Sequence, residues 1–132
     1  MGGGRRSPRW ERTGLLHLFV YGTLRSGGRA CGLLRGCTCL GVRTLAGTLY
    51  EIRGAYPALV LGGEGRVEGE VWRCSAEVVR ALDDYEGVPT GLYRRARVEV
   101  QGVECWTYVA GPGLATYLTP DRVIPSGQWG RV

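Results

Sequence analysis

The sequence predicts an α+β fold dominated by strands. Three observations point there: β-branched and aromatic runs recur along the chain and are punctuated by glycine, one segment has helical apolar spacing with a cap at each end, and Gln101-Gly102 separates two strand-like runs.

The first strand runs through Leu18, Phe19, Val20 and Tyr21, with His17, the only histidine, as a residue inside its pattern. It breaks into Gly22, Thr23, Leu24 and Arg25, a loop that serves either as a plain turn or as a bare backbone whose N–H groups hold an anion. A short helical candidate, Ala30 to Leu34, follows. Residues 37–52 then form a long β-prone stretch broken at Gly41 and Gly47, where glycines mark bulges or bends of the kind found at barrel corners. Residues 56–62, which contain Pro57, and residues 66–74 are two further strand candidates.

Residues 75–87 are the one convincing helix. Ser75 suits the N-cap, Glu77 suits the positive first turn, and Gly87 is placed to terminate it. Val78, Val79, Leu82 and Tyr85 share an apolar face. The last hairpin turns on Gln101-Gly102, which sets Val100 against Val103, Val98 against Cys105 and Arg97 against Trp106, and leaves Glu99 facing Glu104.

With 132 residues and 44% apolar composition, the chain fits one domain with a real core. Residues 1–14 read as a disordered Arg/Gly-rich tail and residues 15–132 as a single domain. The net charge of +5 argues weakly for nucleic acid, because Arg5, Arg6, Arg9 and Arg12 against Glu11 put +3 in the tail and leave +2 elsewhere. No export signal follows Arg5-Arg6, and no run approaches the roughly 18 apolar residues of a membrane span, so a cytoplasmic protein is expected. The five cysteines form no C-x-x-C pair, so neither metal nor disulfide framework is expected, and buried thiols are.

The helix end is unusual. Asp83, Asp84 and Glu86 sit where the macrodipole disfavours negative charge, at a cost of about 0.3–1 kcal/mol for each exposed group. Arg94 or Arg95 can screen them, which accounts for Asp84. A carboxylate at this end facing apolar walls has its charged form destabilised, which gives Glu86 the character of a general acid/base near neutral pH.

The ordered set FVYGTLR (19–25), GTLYEI (47–52), YPALV (56–60), VEGEVW (67–72), LDDYEG (82–87) and YRRARVEV (93–100) resembles the γ-glutamylcyclotransferase-like family, with its AIG2-like and γ-glutamylamine cyclotransferase branches. The resemblance implies a compact mixed β-barrel flanked by a few short helices. It also implies that Tyr21, Gly22, Thr23 and Leu24 hold the glutamyl end of a substrate and that Glu86 is the catalytic acid/base. Tyr93, just past the helix exit, is a candidate cavity wall. Many members carry a polar Asn or His shortly after the loop, whereas this chain reads Gly27, Gly28, Arg29, Ala30.

The implied reaction suits a site with few polar groups. The α-amine of a γ-glutamyl amide or γ-glutamylamine attacks its own γ-carbonyl, releasing 5-oxoproline and a free amine without cofactor or metal. A non-catalytic module that binds a small metabolite in the same cavity is the alternative, and a nucleic-acid partner for the tail is a third. Oligomeric state is not legible.

Overall fold

A computed structural model describes residues 14–22, 24–25 and 31–129 of the chain. Five strands form one sheet: β1 (Leu15–Val20), β2 (Thr38–Ile52), β3 (Tyr56–Ser75), β4 (Tyr93–Val100) and β5 (Val103–Ala110), in spatial order β2-β3-β1-β5-β4. All pairings are antiparallel except β1 with β5, which makes the sheet mixed. Among the described residues, one α-helix, α1 (Ala76–Tyr85), and four short 3₁₀ helices complete the α+β fold expected from the sequence.

The barrel is a looser matter. No ladder joins the edge strands β2 and β4 among the described residues, so the sheet is open. Its margins still meet at one point, where the Thr44 backbone N–H donates to the Gln101 side-chain oxygen at 3.3 Å.

Strand β3 is twenty residues long and replaces the two strands expected over 56–62 and 66–74. Its N-terminal half pairs with β2 from Ile52↔Tyr56 to Gly47↔Leu61, and its C-terminal half from Ala46↔Arg66 to Thr38↔Arg73. Residues 62–65 are thus an exposed insertion between two half-ladders, and the polar, glycine-rich composition that read as a break is a bulge inside one strand. The expected irregularities at Gly41 and Gly47 coincide with the two register shifts of β2.

The hairpin follows the register predicted from its turn, from Val100↔Val103 to Arg97↔Trp106. Gln101 and Gly102 both have positive φ, as a type I′ turn requires. The facing pair Glu99 and Glu104 is eased by Arg97, whose guanidinium lies 3.4 Å from the Glu104 carboxylate.

Alternation along β1 divides the interior. Leu16, Leu18 and Val20 point to one cluster with Val79 and Leu82 of α1, while Phe19 and Tyr21 point to another with Leu45, Leu49, Val67 and Val109. The C-terminal segment closes the second cluster with Ile124 and Trp129, anchored by the Ile124 N–H to the Leu49 carbonyl at 2.8 Å. All five cysteines are free. Cys74 and Cys105 are buried as expected, whereas Cys31 and Cys37 are half-buried and Cys39 is exposed.

The junction of β1 with β5 is the shortest in the sheet, with Leu18↔Trp106 as its one registered pair. The fully buried Thr107 reinforces it by donating from its hydroxyl to the Phe19 carbonyl at 2.9 Å. Thr107→Val keeps the shape and removes that donor, so denaturant unfolding should show a loss of about 1–3 kcal/mol. An unchanged midpoint would mean that the bond adds nothing to the junction.

Candidate functional site

A cavity of about 300 Å³ opens beyond the C-terminal end of β1, where the two core clusters meet. Its lining includes Tyr21, Gly22 and Leu24 from β1 and the following loop, Tyr56 and Pro57 from the start of β3, Glu86 from the end of α1, and Tyr93 and Tyr108 from β4 and β5. Five of the six residues singled out from the sequence therefore converge on one space. The sixth, Thr23, lies outside the described residues, as does the 27–30 stretch that departs from the family pattern. The expected tail, residues 1–14, is outside them too, except for Gly14.

The loop is tied down from both ends. Tyr21 donates from its hydroxyl to the Tyr108 carbonyl at 2.5 Å. At the other end the Arg25 N–H closes a turn on the Gly22 carbonyl at 3.1 Å. The Arg25 side chain is buried and pairs with the Glu68 carboxylate at 3.0 Å, approaching that of Glu70 at 3.9 Å. Glu70 in turn accepts from the Trp72 indole at 3.0 Å. A buried guanidinium stripped of its carboxylates is costly, so this cluster fixes the loop against β3. Gly22 has no room for a side chain, because a Cβ there would stand 2.9 Å from Pro57 Cγ, itself a cavity wall.

Glu86 reaches the cavity through helix termination. Ser75 caps α1 by accepting from the Val78 N–H at 3.3 Å, Val79 and Leu82 bury the inner face, and the Glu86 N–H closes the last turn on the Leu82 carbonyl at 2.8 Å. Gly87 then turns left-handed at φ 69°, the terminator expected, and sends the chain into the 3₁₀ turn Val88–Thr90. Hydrogen bonds from Gly113 to the Gly91 carbonyl and from Gly111 to the Leu92 carbonyl, both 2.8 Å, brace that turn and so set Leu92 and Tyr93 at the cavity wall.

The three acids at the helix end have separate fates. Asp84 is exposed, Asp83 pairs with Arg95 at 3.0 Å, and Glu86 lines the cavity with no hydrogen-bond partner for its carboxyl among the described residues. Burial raises the Glu86 pKa from 4.5 to about 7. The tyrosines around it are pushed far above their usual range, chiefly by burial, and the Tyr93 hydroxyl is spent on the Pro57 carbonyl at 2.5 Å. The hydroxyl protons of Tyr21, Tyr93 and Tyr108 are thus committed, with one carboxyl free to exchange its own. Among the described residues no lining side chain is cationic, and no three His, Cys, Asp or Glu side chains cluster as a metal would require.

Sequence reasoning missed Tyr56, Pro57 and Tyr108, which come from elements remote in sequence from the loop and the helix end. It saw Asp83 only as one of three misplaced acids. The Arg25 anchor stood inside the quoted FVYGTLR motif without a role.

Residues 18–131 match the family described as gamma-glutamyl cyclotransferase, AIG2-like. The gamma-glutamylaminecyclotransferase of Rattus norvegicus is 34% identical, the match covering 75% of this chain and 72% of that protein. The gamma-L-glutamyl-butirosin B gamma-glutamyl cyclotransferase of Niallia circulans is 33% identical over 70% of this chain and 65% of its own. Among solved structures, an AIG2-like protein from Mus musculus superposes with a TM-score of 0.69 at 28% identity, covering 82% of both chains.

The raised Glu86 pKa has a consequence for stability. Because the folded protein holds this proton more tightly than the unfolded chain, the stability linked to it is complete below the usual carboxylate range and is lost as pH rises through about 7. Glu86→Gln, permanently neutral, should therefore melt a few degrees above wild type at pH about 8, with the gap closing as pH falls toward about 4.5. Parallel thermal melts across that range measure it, and a constant gap would contradict the buried, proton-exchanging carboxyl.

Proposed function

The chain belongs to the gamma-glutamyl cyclotransferase, AIG2-like family, and on that premise we propose that it converts a small γ-glutamyl amide or γ-glutamylamine into 5-oxoproline and a free amine. The observation that carries this reading is Glu86: an unpaired carboxyl in a tyrosine-walled cavity, with burial placing its proton exchange near neutrality. Such a group suits a reaction in which protons must be taken from one nitrogen and returned to another.

In this mechanism the substrate supplies its own nucleophile. The α-ammonium gives a proton to the Glu86 carboxylate, and the freed amine attacks the γ-carbonyl carbon to close a five-membered ring. The bond from that carbon to the departing nitrogen then breaks as Glu86 returns its proton to it, and the second surplus proton on the ring nitrogen passes by way of Glu86 to the released amine, which leaves as an ammonium ion. Atoms balance without water, and the chemistry as written calls on no metal or cofactor. Holding the glutamyl chain folded for ring closure contributes roughly 7–11 kcal/mol through orientation. That task falls to the backbone of Tyr21, Gly22, Thr23 and Leu24, whose N–H groups also suit the oxyanion, with the Tyr93 ring as a wall.

Release of 5-oxoproline from a panel of γ-glutamyl amino acids and γ-glutamylamines tests the reading. Glu86→Gln should lower turnover about a hundredfold or more while 5-oxoproline still binds. A variant that turns over normally would remove Glu86 from the chemistry. Wild-type protein that binds 5-oxoproline but cyclises nothing in the panel would instead identify a non-catalytic metabolite-binding module.

A further inference from the structure

Asp83 stands one helical turn before Glu86 and does not line the cavity, yet it organises the facing wall. Its Oδ1 accepts from the Tyr108 hydroxyl at 2.7 Å and from Arg95 Nε at 3.0 Å. Arg95 is itself held in place by stacking over Trp106, 4.6 Å from the ring centroid. Tyr108 belongs to the cavity lining, and a phenol has one proton to donate.

The groups facing Glu86 are Tyr21 from the end of β1, Tyr93 from β4 and Tyr108 from β5. All three interact with it electrostatically. Tyr56 and Tyr85 share the lining, and the nearby charges are Asp83 and Asp84 on the same helix and Arg95 behind Asp83. Tyr21 and Tyr93 donate to backbone carbonyls, which the fold holds fixed. Tyr108 alone gives its short bond to a side chain, with the Val79 carbonyl as a longer second acceptor at 3.4 Å.

We infer that Asp83 is a positioning residue for Glu86: paired with Arg95, it commits the Tyr108 hydroxyl to the helix and so keeps that hydroxyl from donating to the Glu86 carboxyl. The functional weight of this rests on the proposed acid/base role of Glu86. The placement itself rests on the two bonds to Asp83 Oδ1. Without Asp83, the Tyr108 hydroxyl is released to donate to Glu86, which stabilises the carboxylate and makes it a poorer base.

The experiment is a pH titration of the Glu86 carboxyl by NMR on protein with isotope-labelled glutamate, the resonance being assigned by its loss in Glu86→Gln. Tyr108→Phe, a conservative change that should fold, is expected to leave the midpoint within a few tenths of a unit of wild type. Asp83→Ala should lower it by about one unit, and by less than half as much when Tyr108→Phe is added. An equal fall in both backgrounds would assign it to the lost Asp83 charge and overturn the inference, as would no fall, or a rise in Tyr108→Phe alone. The titration needs no turnover, so its result stands apart from the cyclotransferase reading. Where both hold, the acid limb of the kcat/KM profile should move down with the midpoint.

Discussion

Everything at the cavity hangs on the double pairing of β3. This strand carries β2 along one margin and β1 along the other, and its two ends supply opposite parts of the site. Tyr56 and Pro57 at its start form a wall, and Ser75 at its end caps the helix that delivers Glu86. Between them β3 holds Glu68 and Glu70, on which the Arg25 anchor of the glycine loop rests. A shift in β3 register would therefore displace the loop, the wall and the carboxyl together, because successive side chains point to opposite faces of a sheet.

The site's chemistry comes from commitment of protons more than from number of groups. Buried hydroxyls are costly unless bonded, so each phenol finds an acceptor: Tyr21 the Tyr108 carbonyl, Tyr93 the Pro57 carbonyl, Tyr108 the Asp83 carboxylate. Satisfying them takes these three hydroxyls out of reach as donors to Glu86. What makes the tyrosines good walls is the same thing that leaves the carboxyl neutral-prone.

Local chemistry was well written in the sequence. The hairpin register followed from one two-residue turn, the helix from Ser75 and Gly87, and the bulges of β2 from two glycines. The helix-end conflict with the macrodipole singled out Glu86, and the loop residues Tyr21, Gly22 and Leu24 fell into the same cavity. The resemblance led to the family itself. What stayed hidden was long-range: Tyr108 bonded to Asp83, Arg25 to Glu68, and Pro57 against Gly22 are contacts between segments 25 or more residues apart, which no local pattern encodes. Continuity of β3 was obscured because a bulged insertion and a loop between strands have the same polar, glycine-rich composition.

That insertion also separates two kinds of constraint within one strand. Residues 62–65 are exposed, Gly62 and Gly63 take left-handed φ, and no cavity-lining residue falls between Pro57 and Tyr85. The half-ladders on either side keep their own register with β2. Gly65 sits close against the Gly47 carbonyl of β2, but Gly62 and Gly63 have open space around them, so chain length at Gly62-Gly63 is uncoupled from both the sheet and the site, a permissive position for splicing in a peptide tag or reporter while the cavity keeps its walls.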